Sequence, residues 1–124
     1  MQIFGLDYIN NLFNSYKFTF TNEPDKINCL KFSKENLIKT NIKKAIFCEN
    51  LNEVLLCNAA LVEYIIPNKN ILTNSTELAQ KYLFDSKILC FIENTNNLYL
   101  AAEYNVDCVL FLNFDENLKQ YFIK

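Results

Sequence analysis

From residue 27 onward the chain alternates short, nearly uninterrupted apolar runs with longer stretches whose apolar residues recur every three or four positions. The runs lie at 27–32, 45–48, 64–66, 88–92 and 108–112. They lack the in-and-out alternation of a half-exposed strand, so each predicts a strand covered on both faces. The stretches that follow them, at 34–41, 52–60, 75–84, 96–104 and 115–122, predict helices, several entered through Asn, Ser or Asp as an N-cap. The first 26 residues read differently. Ile9, Leu12, Phe13 and Tyr16 recur at helical spacing behind Asp7, residues 17–21 alternate like a short strand, and Glu23-Pro24-Asp25 punctuates the end.

Five consecutive βα units with continuous apolar strands predict an α/β fold with a parallel sheet covered by helices and joined by right-handed crossovers. Two architectures fit this pattern: an open, flavodoxin-like sheet, or a half-barrel-like one that curves. Five units are too few to close an eight-stranded barrel. The expected organisation is a single domain over 1–124, with 1–26 as an N-terminal helix and strand extension and 27–124 as the βα repeat core. A 44-residue shift superposes Glu49-Asn50 on Glu93-Asn94, Val54 on Leu98, Leu56 on Leu100 and Glu63 on Asp107, which supports the unit boundaries.

Composition narrows the chemistry. With 124 residues, 51% hydrophobic and 21% charged, the chain has the makings of a packed core. No apolar stretch approaches the ~20 residues of a membrane span, and residues 1–5 show no basic-then-apolar leader, so the expected location is the cytoplasm with no membrane partner. The five cysteines form no CxxC pair, and no histidine is present to complete a zinc site. They are expected to be buried, reduced thiols. All twelve basic residues are lysine, spread along a chain of net charge −2, which argues against nucleic acid as a partner. The absence of His and Arg removes imidazole catalysis and arginine clamps. The single glycine, Gly5, removes glycine-rich phosphate loops. Nineteen asparagines supply a residue that tolerates left-handed backbone, and Asn105 stands where a helix C-cap is expected.

In parallel α/β folds ligands bind beyond the carboxyl ends of the strands. The polar residues there are Ser33, Glu49, Asn50, Asn68, Lys69, Glu93, Asn94, Asn113 and Asp115. Two readings apply to each. The first is N-capping of the following helix; the second is ligation of a hard cation such as Mg or Mn, or of its substrate, through oxygen. Under the second reading Glu93 and Asp115 are the metal candidates, and Glu49, Asn50, Asn68, Asn94 and Asn113 the ligand-binding candidates. No catalytic base is assigned; Lys69, Lys87, Tyr64 and Tyr104 are expected at ordinary surface or boundary positions.

The stretch ILCFIENTNNLYLAAEYNVDCVLFLNFDENL resembles the late βα units of phosphoenolpyruvate/pyruvate-type barrels, such as 2-keto-acid aldolases, the citrate lyase β chain and pyruvate kinase. The segment VEYIIPNKN is similar to the strand-proline segment that precedes that unit in the aldolases. The resemblance spans residues 44–118. It implies that Glu93 and Asp115 hold a divalent metal that binds a pyruvate-like enolate. The chain departs from those families in lacking the glycines before the second acid and the arginine and histidine that handle substrate and proton.

The reading favoured by these observations is a non-catalytic α/β module without a cofactor, working through association with a protein partner or with itself as a homodimer. The alternative is a small divalent-metal-dependent, lyase- or aldolase-like enzyme acting on a pyruvate-like or phosphorylated small molecule.

Overall fold

The computed structural model of the chain describes residues 1–6 and 17–123; the leading helix expected around Ile9, Leu12, Phe13 and Tyr16, with its cap Asp7, lies outside them. Among the described residues there are seven strands: β1 (Gln2–Phe4), β2 (Phe18–Thr19), β3 (Ile27–Lys31), β4 (Lys43–Cys48), β5 (Tyr64–Pro67), β6 (Lys87–Ile92) and β7 (Cys108–Phe111). Four helices connect β3 to β7 in turn: α1 (Lys34–Ile38), α2 (Leu51–Ala59), α3 (Leu72–Lys81) and α4 (Leu98–Glu103). The strands form one parallel sheet in the order β1-β7-β6-β5-β4-β3-β2.

From β2 to β7 every sequence neighbour is a sheet neighbour, so each crossover steps in the same direction and the helices collect on one face. Two separate cores follow from this. On the outer face Ile46, Cys48, Ile65, Ile88, Cys90, Ile92 and Val109 pack against Val54 and Cys57 of α2, Leu72 of α3 and Ala101 of α4. On the inner face the alternate residues Ala45, Phe47, Ile66, Leu89, Phe91, Cys108 and Leu110 are just as buried, yet no helix from α1 to α4 contributes to their cluster. Among the described residues this face is covered by the sheet itself together with Tyr121 and Phe122 of the final segment. Phe4 on β1 and Phe18 on β2, at opposite edges of the sheet, have ring centroids 5.1 Å apart, and both meet Tyr64 of β5, at 6.0 and 5.4 Å. Edges that touch one another and a middle strand require a curled sheet, so the half-barrel architecture holds and the open, flavodoxin-like one does not.

Local chemistry explains where elements begin and end. Helix α1 stops at Ile38, short of the expected 41, because buried Lys44 donates from Nζ to the carbonyls of Leu37 (2.9 Å), Lys39 (2.8 Å) and Asn36 (3.3 Å). The cation thus occupies the carbonyls and negative dipole end where another turn would form. Helix α3 begins before the expected Ser75: Asn68 caps a 3-10 turn at Lys69–Ile71, and the Ser75 hydroxyl bonds back to the Ile71 carbonyl at 2.7 Å. The final segment is a 3-10 helix, Glu116–Tyr121, rather than an α-helix. The short edge strand β1 was not expected.

The 44-residue echo has a physical counterpart. Glu63 Oε1 accepts the backbone N–H of Lys44 at 2.9 Å, and Asp107 Oδ2 accepts that of Ile88 at 2.8 Å. Each acid stands just ahead of a strand and pins its register to the strand before, so both copies use one device at one spacing.

Asn41, Leu61, Leu83 and Asn105, each in the turn that leads into a strand, have φ of 67°, 60°, 51° and 61°. Asn105 fulfils the expected left-handed cap. At the two leucines the turn closes through Val62 N–H to Cys57 O (3.1 Å) and Phe84 N–H to Ala79 O (3.0 Å), the six-to-one bond of a Schellman cap. Leucine is strained in this region, where asparagine is tolerated. Gly5 meets a stricter demand, with φ of 92° and a would-be Cβ only 2.8 Å from the Phe111 carbonyl oxygen.

Two stability changes follow. Gly5→Ala forces the chain off Phe111 and is expected to lower unfolding free energy by about 2–3 kcal/mol. Leu83→Asn, at a side chain 85% exposed, is expected to raise it by about 0.5–1 kcal/mol by relieving left-handed strain. Urea unfolding of each variant measures both; a stable Gly5→Ala protein would contradict the close β1–β7 approach.

Candidate functional site

The carboxyl mouth of the sheet collects the polar residues singled out above. Their types account for most of what they do there. Ser33, Asn50, Asn68, Asn94 and Asp115 each accept a backbone N–H two or three residues ahead, at 3.0, 3.0, 3.0, 2.9 and 2.9 Å, capping the helical turn that follows. At Asn50 the cap is reinforced by Glu53, whose Oε1 accepts the Glu49 N–H at 2.8 Å. These bonds satisfy amides that a helix start leaves exposed.

The candidates fall into separate groups. Glu93 and Asn113 line an open cavity of about 390 Å³ together with Gly5, Leu6, Phe111 and Leu112. Asp115, the second expected metal ligand, is not among its lining residues. Glu49 and Asn68 form another group, with Asn68 Nδ2 donating to Glu49 Oε2 at 2.9 Å. Among the described residues no set of three or more His, Cys, Asp or Glu converges in the manner of a metal centre.

One participant in the mouth was missed by sequence reasoning. The segment from Asp115 crosses the carboxyl ends of the strands, and the Tyr121 hydroxyl donates to Glu49 Oε1. Its ring lies 4.5 Å from that of Phe47. Phe122 follows, fully buried, its ring 5.5 Å from Phe91 and 5.2 Å from Phe114, and Ile123 N–H donates to Phe91 O at 3.0 Å. Strands β5 and β6 pair only through Tyr64↔Lys87 and Ile65↔Ile88. Beyond that point Phe122 bridges in parallel to Phe91. The tail therefore wedges into the sheet where two strands part. Burial, and then the hydrogen bond to Glu49, raise the Tyr121 phenol above its ordinary value. No local signal points to a partnership 72 residues apart in sequence; the run of aromatics at 121–122 reads only as core.

Phe20, 48% exposed, stands at the rim of the same mouth, its ring 6.5 Å from Phe47 and 6.3 Å from Phe91. Behind it the inner face is closed by Phe47 against Phe91 at 5.9 Å. A cavity of about 710 Å³ opens at the opposite, amino end of the strands, between Lys17, Lys26, Lys43 and Asp25 with Pro24, Ile27 and Ile42. None of those residues was a sequence candidate, because parallel α/β folds hold ligands at the carboxyl ends of their strands.

All five cysteines are buried and free, as expected. The Sγ atoms of Cys48 and Cys57 lie 3.5 Å apart within the outer core. Burial pushes the Cys29 and Cys108 thiols from 9.0 up to about 12. Thiols held protonated in this way are poor nucleophiles.

No protein-family model matches the chain, and no curated protein matches it either. No helix among the described residues is long and apolar enough to cross a membrane.

Two outcomes are expected. Tyr121→Phe removes the hydroxyl but keeps the ring, costing about 1–2 kcal/mol of stability; Tyr121→Ala also empties the contact with Phe47 and costs about 3–4 kcal/mol. Equal losses in urea unfolding would place the ring outside the mouth. The raised thiols set a pH dependence. A folded-state value above the unfolded one stabilises fully below pH 9.0 and is lost as pH rises toward about 12. Melting temperature should therefore fall across that window, and substituting Cys29 and Cys108 by Ala should shrink the fall.

Proposed function

We propose that this chain is a non-catalytic α/β module that works by binding another protein or a second copy of itself. The observation that carries this reading is the aromatic packing that fills the mouth over β4 and β6, beside the open cavity at Glu93 and Asn113. At the end of the sheet where parallel α/β enzymes hold substrate, Phe47, Phe91, Tyr121 and Phe122 pack together. The polar residues around them are occupied in capping turns and in holding the tail to Glu49.

The chain has no imidazole or guanidinium to supply at that place. Apolar surface is offered elsewhere, on the helical layer and its turns, where Leu55, Leu56, Leu61, Tyr82, Leu83 and Tyr99 are exposed. Exposed apolar residues in a group mark contact surfaces more often than chemical sites.

Thermal melting with and without magnesium or manganese tests the reading. The expected result is an unchanged melting temperature at millimolar metal. A ligand present at 100 times its dissociation constant adds about 2.7 kcal/mol of stability, so a metal site of useful affinity is readily seen. A rise with metal that Glu93→Gln abolishes would overturn the reading in favour of the metal-dependent lyase alternative.

A further inference from the structure

We infer that the cavity at the amino ends of β2, β3 and β4 binds a small organic oxyanion, its phosphate or carboxylate head held by Lys17, Lys26 and Lys43 and its apolar body resting on Pro24, Ile27 and Ile42. The site goes beyond the association reading and lies at the opposite end of the strands from Glu93 and Asp115. Register builds it. Phe18 of β2 is aligned with Ile27 of β3, and Ile27 with Lys43 of β4, so these three parallel strands start side by side. Lys17 and Lys26 stand directly ahead of the first two strands, and Lys43 opens the third. Neighbouring strands lie about 4.8 Å apart, so residues well separated in sequence bring three ammonium groups to one rim.

The two lysines that open β4 are used differently. Lys44 turns to the helical side, where its ammonium binds the carbonyls that end α1. Alternation along the strand points Lys43 to the other side, in register with Ile27, which packs against the inner core. Among the described residues Lys43 has no ion-pair partner. Two carboxylates lie near. Asp25 is on the cavity wall. Glu23 is held to Lys26 at 3.2 Å, and its second oxygen accepts the hydroxyls of Thr19 and Thr21 at 2.6 and 3.0 Å. Three cations against two acids, one of them shared among three partners, leave this rim positive on a chain whose net charge is −2.

Shape points to the same occupant. The cavity measures about 710 Å³, within the range of about 300–1,000 Å³ common to small-molecule sites, which are mostly apolar with a few convergent polar groups. Asn41, held at φ 67° in the turn into β4, adds to the wall an amide that can donate to an oxygen. Apolar walls around charges of one sign focus their field on the space between them. Lysine meets an oxyanion as a compact point charge and does so without the arginine fork that this chain lacks. The carboxyl end of β4 is packed with the rings of Phe47, Phe91 and Tyr121, whereas its amino end keeps a concave, charged space.

A proton–nitrogen NMR titration of the full chain with phenyl phosphate is the test, with benzyl alcohol as its uncharged counterpart. Phenyl phosphate should shift the amides of Lys26, Ile27, Ile42 and Lys43 saturably, at millimolar concentration or below, and leave those of Glu93 and Asn113 in place. Lys43→Gln should weaken binding about tenfold, the loss of one charge-assisted hydrogen bond. Lys43→Arg, which keeps the charge, should hold it within about threefold, with circular dichroism confirming the fold of both. Lys81→Gln on α3, outside the cavity, should change nothing. Raising salt from about 0.05 to about 0.5 M should weaken phenyl phosphate binding. Benzoate, run beside it, separates the two heads: the tighter of the two names the class, and binding of neither overturns the inference. A Lys43→Gln titration equal to wild type overturns it as well, and so does benzyl alcohol binding as tightly as phenyl phosphate. None of these results depends on the metal response described above, so failure of this site and failure of the non-catalytic reading are told apart.

Discussion

Among the described residues, the side chains that face away from the helices, from Phe4 and Phe18 at the two edges to Leu89 and Phe91 nearer the centre, are buried against one another and against Tyr121 and Phe122 of the tail rather than against a second helical layer. A parallel sheet wound in one direction puts all its helices on one side, and a flat version would leave this second apolar face in water. Curling removes the problem by bringing the edges together, and the three-way contact of Phe4, Phe18 and Tyr64 is its closing point. Curling also creates an inside, which the aromatic rings then fill. The shape of the sheet and the aromatic packing of its inside are thus two results of one requirement.

Filling the inside has a chemical consequence. A curled parallel sheet with a wet, polar mouth provides a place to bind and transform a small molecule. Here the tail supplies Tyr121 and Phe122 to that mouth and uses Glu49 as the anchor for the phenol. Glu49, with its neighbour Asn68, is held by partners from inside the chain. Asn50, Asn68, Asn94 and Asp115 on the strand ends serve the backbone, each closing the turn that launches the next helix, while Glu93 and Asn113 line the open cavity beside Gly5.

The strands from β3 to β7 were legible in the sequence because burial on both faces writes a continuous apolar run, as in Ile88 to Ile92. The sense of the curl was not. Phe47 pointing inward and Ile46 pointing to the helices are both simply apolar, and no one-dimensional pattern says that two inward rings on distant strands will meet. Helix ends were legible where a single side chain sets them, as at Asn50 and Asn105. They were shifted where a distant group decides, as with Lys44 taking the last carbonyls of α1. The same limit hid Tyr121. Its carboxylate partner is fixed by the path of the tail across the mouth, which depends on where β5 and β6 part.

The paired acids Glu63 and Asp107 show why a repeat in sequence need not be a repeat in chemistry. Each receives a backbone N–H from the second residue of the preceding strand, Lys44 in one copy and Ile88 in the other. That bond resists a one-residue slip, which would exchange the inner and outer faces of the whole strand. In a sheet whose two faces are both apolar, the hydrophobic pattern alone does not choose the register. Inward-facing Phe91 and outward-facing Ile92 would each find an apolar environment after a slip, though not one of matching shape. A carboxylate placed just before the strand breaks that ambiguity with a directional bond. Acids at strand starts are therefore explained here by the same feature that curls the sheet: with little polar contrast between its faces, alignment must come from individual hydrogen bonds.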